Sequence, residues 1–152
     1  RVPLPQPEQA VAWLMTEIPG LSHADATLLL NATGQQPLTA KERHGQGIDG
    51  QYWVQIPKDV AQGIPSKWTA WPLPLQLEML QKLCHDMSCV AVGAAPRFFP
   101  VDSLPASTAL SRLTAWSSEL TKQQRHAGHP WNAGLKTEAL LQQAKIVLRS
   151  RK

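Results

Sequence analysis

The sequence predicts an all-α protein. Three observations carry this: no segment alternates apolar and polar residues with period two, apolar residues recur at steps of three and four, and prolines stand at the starts of these stretches with glycine or asparagine at several ends. With 152 residues, 43% hydrophobic and 17% charged, the chain is long enough for one ordinary domain or two small ones. No run approaches the roughly 18 consecutive apolar residues that a membrane helix needs, and the opening Arg1-Val2-Pro3-Leu4-Pro5-Gln6-Pro7 has neither the apolar core nor the cleavage site of a signal peptide.

The first helix is expected from Pro7 to about Glu17, because Val11, Leu14, Met15 and Ile18 line one face and Pro19-Gly20 ends it. Ser22 with Asp25 three residues on makes a capping-box-like start for a second helix through Leu28, Leu29 and Leu30, stopped at Asn31 to Gly34. A third, short helix is read from Pro37 to Arg43, broken by Gly45, Gly47 and Gly50. Between Gln51 and Trp71 the apolar residues show no single period, and helix is expected on either side of Pro57. The clearest stripe follows at Leu73, Leu77, Leu80, Cys84 and Met87, running to about Cys89. A helix from about Ser107 carries Leu110, Leu113, Trp116 and Leu120, with more apolar surface than one inward face requires. A loop from His126 to Gly134 leads to a last helix from about Leu135, with Leu140, Leu141, Ala144, Val147 and Leu148. The division expected is a small bundle over residues 1–48 and a larger one of about five helices over 49–152, with the glycines from Gly45 to Gly50 as a mobile joint.

The formal charge of +4 makes a nucleic-acid or acidic partner plausible, yet only Lys145, Arg149, Arg151 and Lys152 cluster, and a basic helix end also complements the helix dipole. Gly45-Gln46-Gly47-Ile48-Asp49-Gly50 matches the dinucleotide fingerprint but follows Lys41-Glu42-Arg43-His44 instead of an apolar strand, so it reads as a linker. Cys84-His85-Asp86 holds a nucleophile, a base and an acid, but adjacent helical residues fan out by about 100° and cannot converge. Cys84 is therefore read as core, and His85 and Asp86 as flanking groups. His126 and His129 could share a metal only if a third ligand approached, and none is evident nearby. No P-loop is present. The expectation is no catalytic residue, no metal and no cofactor. Cys84 and Cys89, five apart, are not placed to bridge, which suits a reducing cytoplasm. Most of the six tryptophans are expected in the core, with Trp131 the exception.

Three segments resemble the delta-prime family of bacterial clamp-loader subunits, of the proteobacterial type: Pro3-Leu4-Pro5-Gln6-Pro7-Glu8-Gln9-Ala10-Val11-Ala12-Trp13-Leu14, Leu80 to Asp86 continuing through Gly93-Ala94-Ala95-Pro96-Arg97-Phe98-Phe99-Pro100, and His129-Pro130-Trp131-Asn132-Ala133-Gly134-Leu135. The likeness is poorest between Lys41 and Trp71. It implies the helical lid of an AAA+ module followed by a collar domain, with an ATPase-like core expected upstream of Arg1. It also implies a non-catalytic assembly role in the DNA polymerase III clamp loader during DNA replication, with the delta and gamma/tau subunits as partners. Primed DNA and the sliding clamp would be met through the assembled complex, in the cytoplasm, with no membrane contact. The candidate interface residues are Arg97, Phe98, Phe99, His129 and Trp131, with Arg97-Phe98-Phe99 expected inside the collar. The alternative, from the basic tail alone, is an independent helical DNA-binding module.

Overall fold

The computed structural model describes residues 6–64, 67–105, 109–125 and 133–149. Among these the protein is all-α, with seven α-helices, two short 3-10 turns and no strand. Helices α1 (Pro7–Glu17), α2 (His23–Ala32), α3 (Pro37–Gly45), α4 (Gly50–Gln62), α5 (Leu73–Ala91), α6 (Leu110–Arg125) and α7 (Ala133–Arg149) follow one another along the chain. Two compact units divide between Gln55 and Ile56, and the short segment Arg97–Pro100 belongs with the first.

In the first unit, Ala10, Val11, Leu14, Leu21, Ala26, Leu29, Leu30 and Ala40 make a closed core between α1, α2 and α3, with Trp13 and Ile18 against it. Ser22 caps α2 as its sequence implies, its hydroxyl accepting the Asp25 N–H at 3.1 Å. The helix then ends in a left-handed turn at Gly34, where the Gln35 N–H reaches the Leu30 carbonyl at 2.7 Å.

The glycine run is not the unanchored joint that the sequence suggests. Gly47, at φ +91°, lets the Ile48 N–H close on the Arg43 carbonyl (3.1 Å) and its own N–H on that of His44 (3.0 Å), the paired closure that ends a helix tightly. Ile48 is then buried, and Asp49 caps α4 by accepting the Tyr52 N–H at 2.7 Å. Gly50 lies so close to α2 that a Cβ there would come within 2.9 Å of Asp25 Oδ1 and 3.0 Å of Leu28 Cβ. An apolar side chain and a close helix contact therefore hold the stretch.

Pro57 also departs from expectation, because α4 runs through it instead of breaking. The missing N–H leaves the Trp53 carbonyl without its usual helical donor, a local cost of about 3 kcal/mol. Trp53, Ile56 and Val60, at steps of three and four, are all buried, and that burial outweighs it. Among the described residues of the interval after α4, a 3-10 turn, Lys67–Ala70, stands in place of a second helix.

In the second unit, α5 is the central helix. Leu77, Leu80, Leu83, Cys84 and Met87 are buried on it, and α6 packs along it through Leu113, Trp116 and Leu120. Leu110 stays exposed, so the apolar excess read on α6 reduces to the start of the helix. Leu140, Leu141, Ala144 and Leu148 bury one side of α7. Gln76 ties this unit together from inside: its amide donates to the carbonyls of Thr69 (3.2 Å) and Trp71 (2.8 Å), and its oxygen accepts from the Thr137 hydroxyl at 3.0 Å.

Candidate interaction site at Arg97 to Pro100

Pro96 and Pro100 restrict the backbone on both sides of Arg97-Phe98-Phe99 and exclude a helix there, so the two phenyl rings must diverge. Phe99 is buried and Phe98 half-buried. The Phe99 ring stacks on Trp53 with centroids 4.5 Å apart and planes 4° from parallel, an offset contact that adds about 0.5–1.5 kcal/mol beyond its buried area. Trp53 also donates its indole N–H to the Phe98 carbonyl at 2.9 Å. A ring stack and a hydrogen bond thus fix this segment to the first turns of α4. This corrects the expectation that Arg97-Phe98-Phe99 lies inside the collar, since the segment is grouped with the first unit.

Fixing Phe99 sets the positions of its neighbours. Phe98 and Arg97 lie over the turn that ends α2, within ordinary contact of the place a Cβ would take at Gly34 (3.7 Å to Phe98 Cε1, 3.9 Å to Arg97 Nη2). The Arg97 guanidinium stands 5.4 Å from the centroid of the Phe98 ring and is exposed. The negative end of the α2 dipole and the ring face both favour a cation there. A guanidinium in such a position attracts carboxylates and phosphates.

Of the other candidates, His129 and Trp131 lie outside the described residues, as does His126. Cys84 is the core residue expected: it is buried, its thiol donates to the Leu113 carbonyl at 3.2 Å, and burial pushes its pKa from 9.0 to about 11, which suppresses the nucleophilic thiolate. Asp86 corrects the sequence reading, being fully buried instead of flanking, with its carboxylate 3.1 Å from His85 Nδ1. Among the described residues no three His, Cys, Asp or Glu side chains are grouped to hold a metal, and no helix is long and apolar enough to cross a membrane. Trp53, Trp68 and Trp116 are buried, and Trp13 and Trp71 half-buried.

One feature of the first unit gives no clear signal in the sequence. An apolar groove of about 710 Å³ lies along α1 and α3, lined by Ala10, Trp13, Pro37 and Leu38 with the amides of Gln9 and Gln36. Leu38 is 74% exposed beside it, and only its position off the buried stripe of α3 could have marked it.

No family model, curated protein or solved structure matches the chain.

Proposed function

We propose that this chain is a non-catalytic assembly part of a bacterial sliding-clamp loader, the lid and collar of a delta-prime-like subunit. The observation that carries the reading is the sequence likeness of the three segments from Pro3 to Leu14, Leu80 to Pro100 and His129 to Leu135. The helical order is compatible with it, a three-helix unit being followed by a second helical unit around α5. The chemistry of the Arg97 site also suits association: an exposed guanidinium on a rigid aromatic base is a docking group for a carboxylate, and an aromatic–arginine pair is the kind of anchor that concentrates binding energy. In this reading the chain contributes no catalytic step and no cofactor site. ATP turnover and clamp opening belong to the assembled loader, and DNA polymerisation to the holoenzyme.

The test is reconstitution. The chain is mixed with purified delta and gamma/tau subunits and followed by size-exclusion chromatography with light scattering. Co-elution in one stoichiometric complex is expected, weakened by Arg97→Ala. Failure to co-elute with either subunit overturns the proposal.

A further inference from the structure

Cys84-His85-Asp86 cannot act as a reactive triplet, because neighbouring helical residues fan apart, but α5 carries a second thiol on the side where His85 points. Cys89 stands four residues after His85 in the last turn of α5, so the two side chains share one face of the helix. Its Sγ lies 3.9 Å from both His85 ring nitrogens, at the outer limit of a sulfur contact. From the inner side, Asp86 is fully buried and sets a carboxylate oxygen 3.1 Å from His85 Nδ1. That hydrogen bond assigns the ring proton to Nδ1 and leaves Nε2 as the acceptor. Thiol, imidazole and carboxylate thus stand in the order nucleophile, base and orienting acid. Such a pair is commonly looser at rest than during reaction.

The two thiols of the helix differ in access. Cys84 is buried and donates to the Leu113 carbonyl. Cys89 is half-buried, half of the His85 side chain is exposed, and Val92 to Ala95 beyond them are all exposed. A small reagent can therefore reach Cys89 past the end of α5. The negative end of the helix dipole favours a charged ring over a charged sulfur, so the proton passes to His85 as the sulfur attacks, not beforehand.

We propose that Cys89 is a thiol-modification site that exchanges with low-molecular-weight disulfides of the glutathione class, with His85 as its base. In the step, Cys89 Sγ attacks one sulfur of the disulfide while its proton passes to His85 Nε2. The S–S bond of the reagent breaks, a Cys89–glutathione disulfide forms, and the leaving thiolate takes the proton from His85 to become free thiol. The reagent disulfide is itself the oxidant. The inference does not depend on the assembly role proposed above.

The test uses the whole chain. With dithiobis(nitrobenzoate) in excess, one thiol should react rapidly and the other only after unfolding in urea, and Cys89→Ser should remove the rapid phase. His85→Gln can still donate to Asp86 but takes up no proton, so it should slow that phase at least about 10-fold, short of the full effect of a base in closer contact. His85→Ala should be slowed as much and recover rate when imidazole is added, which a purely structural histidine would not do. Thermal melting checks that every variant is folded. Mass spectrometry after incubation with oxidised glutathione should find one glutathione on the parent and none on Cys89→Ser. The proposal is overturned by a rapid phase that survives Cys89→Ser, by a His85→Gln rate within about 10-fold of the parent, by a lack of imidazole rescue, or by a parent chain that takes no glutathione or a Cys89→Ser chain that does.

Discussion

Truncating Phe99 to Ala removes both the stack on Trp53 and the buried ring, so a loss of about 3–5 kcal/mol is expected, read as a clear fall in melting temperature. Phe98→Ala should lose less, because that ring is only half-buried. Arg97→Ala should melt close to the parent while weakening subunit association. That one phenylalanine of the pair is buried was legible from the bracketing prolines, but its partner was not, since nothing local links Phe99 to Trp53. The burial of Asp86 was hidden for a similar reason, because a helical period places a residue on a face without saying what covers it. Cys84 permits a second prediction. Its pKa is raised in the folded state, so the fold holds that proton more tightly than the unfolded chain does. The associated stability is whole below pH 9.0 and disappears as pH rises through about 11, amounting to about 3 kcal/mol. Urea unfolding across that interval should show the loss in the parent and not in Cys84→Ala.

At the scale of elements, helix existence was legible almost throughout, because caps and stops are local chemistry. Ser22, Pro37 and the Pro72 and Pro74 pair stand at helix starts, and the same closure through a glycine ends α2, α3, α4 and α5 at Gly34, Gly47, Gly63 and Gly93. Pro57 misled because its local penalty is visible in the sequence while the burial of Ile56 and Val60 that offsets it is not. Gly50→Ala is the sharper probe of the glycine run. The added methyl meets Asp25 and Leu28, so a loss of about 1–3 kcal/mol is expected from overpacking, measurable by chemical denaturation. A flexible joint would instead tolerate or welcome alanine. The buried bonds of Gln76 make a further probe, since Gln76→Leu removes its hydrogen bonds with two carbonyls and the Thr137 hydroxyl, at about 1–3 kcal/mol.

For the whole molecule, the all-α class was legible from the missing two-residue period, whereas the extent of the first unit was not. The sequence presents residues 1–48 as a block, but the compact unit takes in the start of α4 and borrows Arg97–Pro100 from beyond α5. Limited proteolysis should therefore spare the Gly45–Gly50 segment for as long as α2 survives, and early cleavage there would mean that Ile48 is not buried in solution. The borrowed segment has a bearing on biosynthesis. Trp53 waits for a carbonyl 45 residues further along the chain, so on the ribosome the first unit cannot finish folding until Pro100 has emerged, by which time α5 has already been made. A nascent chain stalled before Phe99 would carry an exposed indole face for a chaperone to hold, and release should coincide with the arrival of the two phenylalanines.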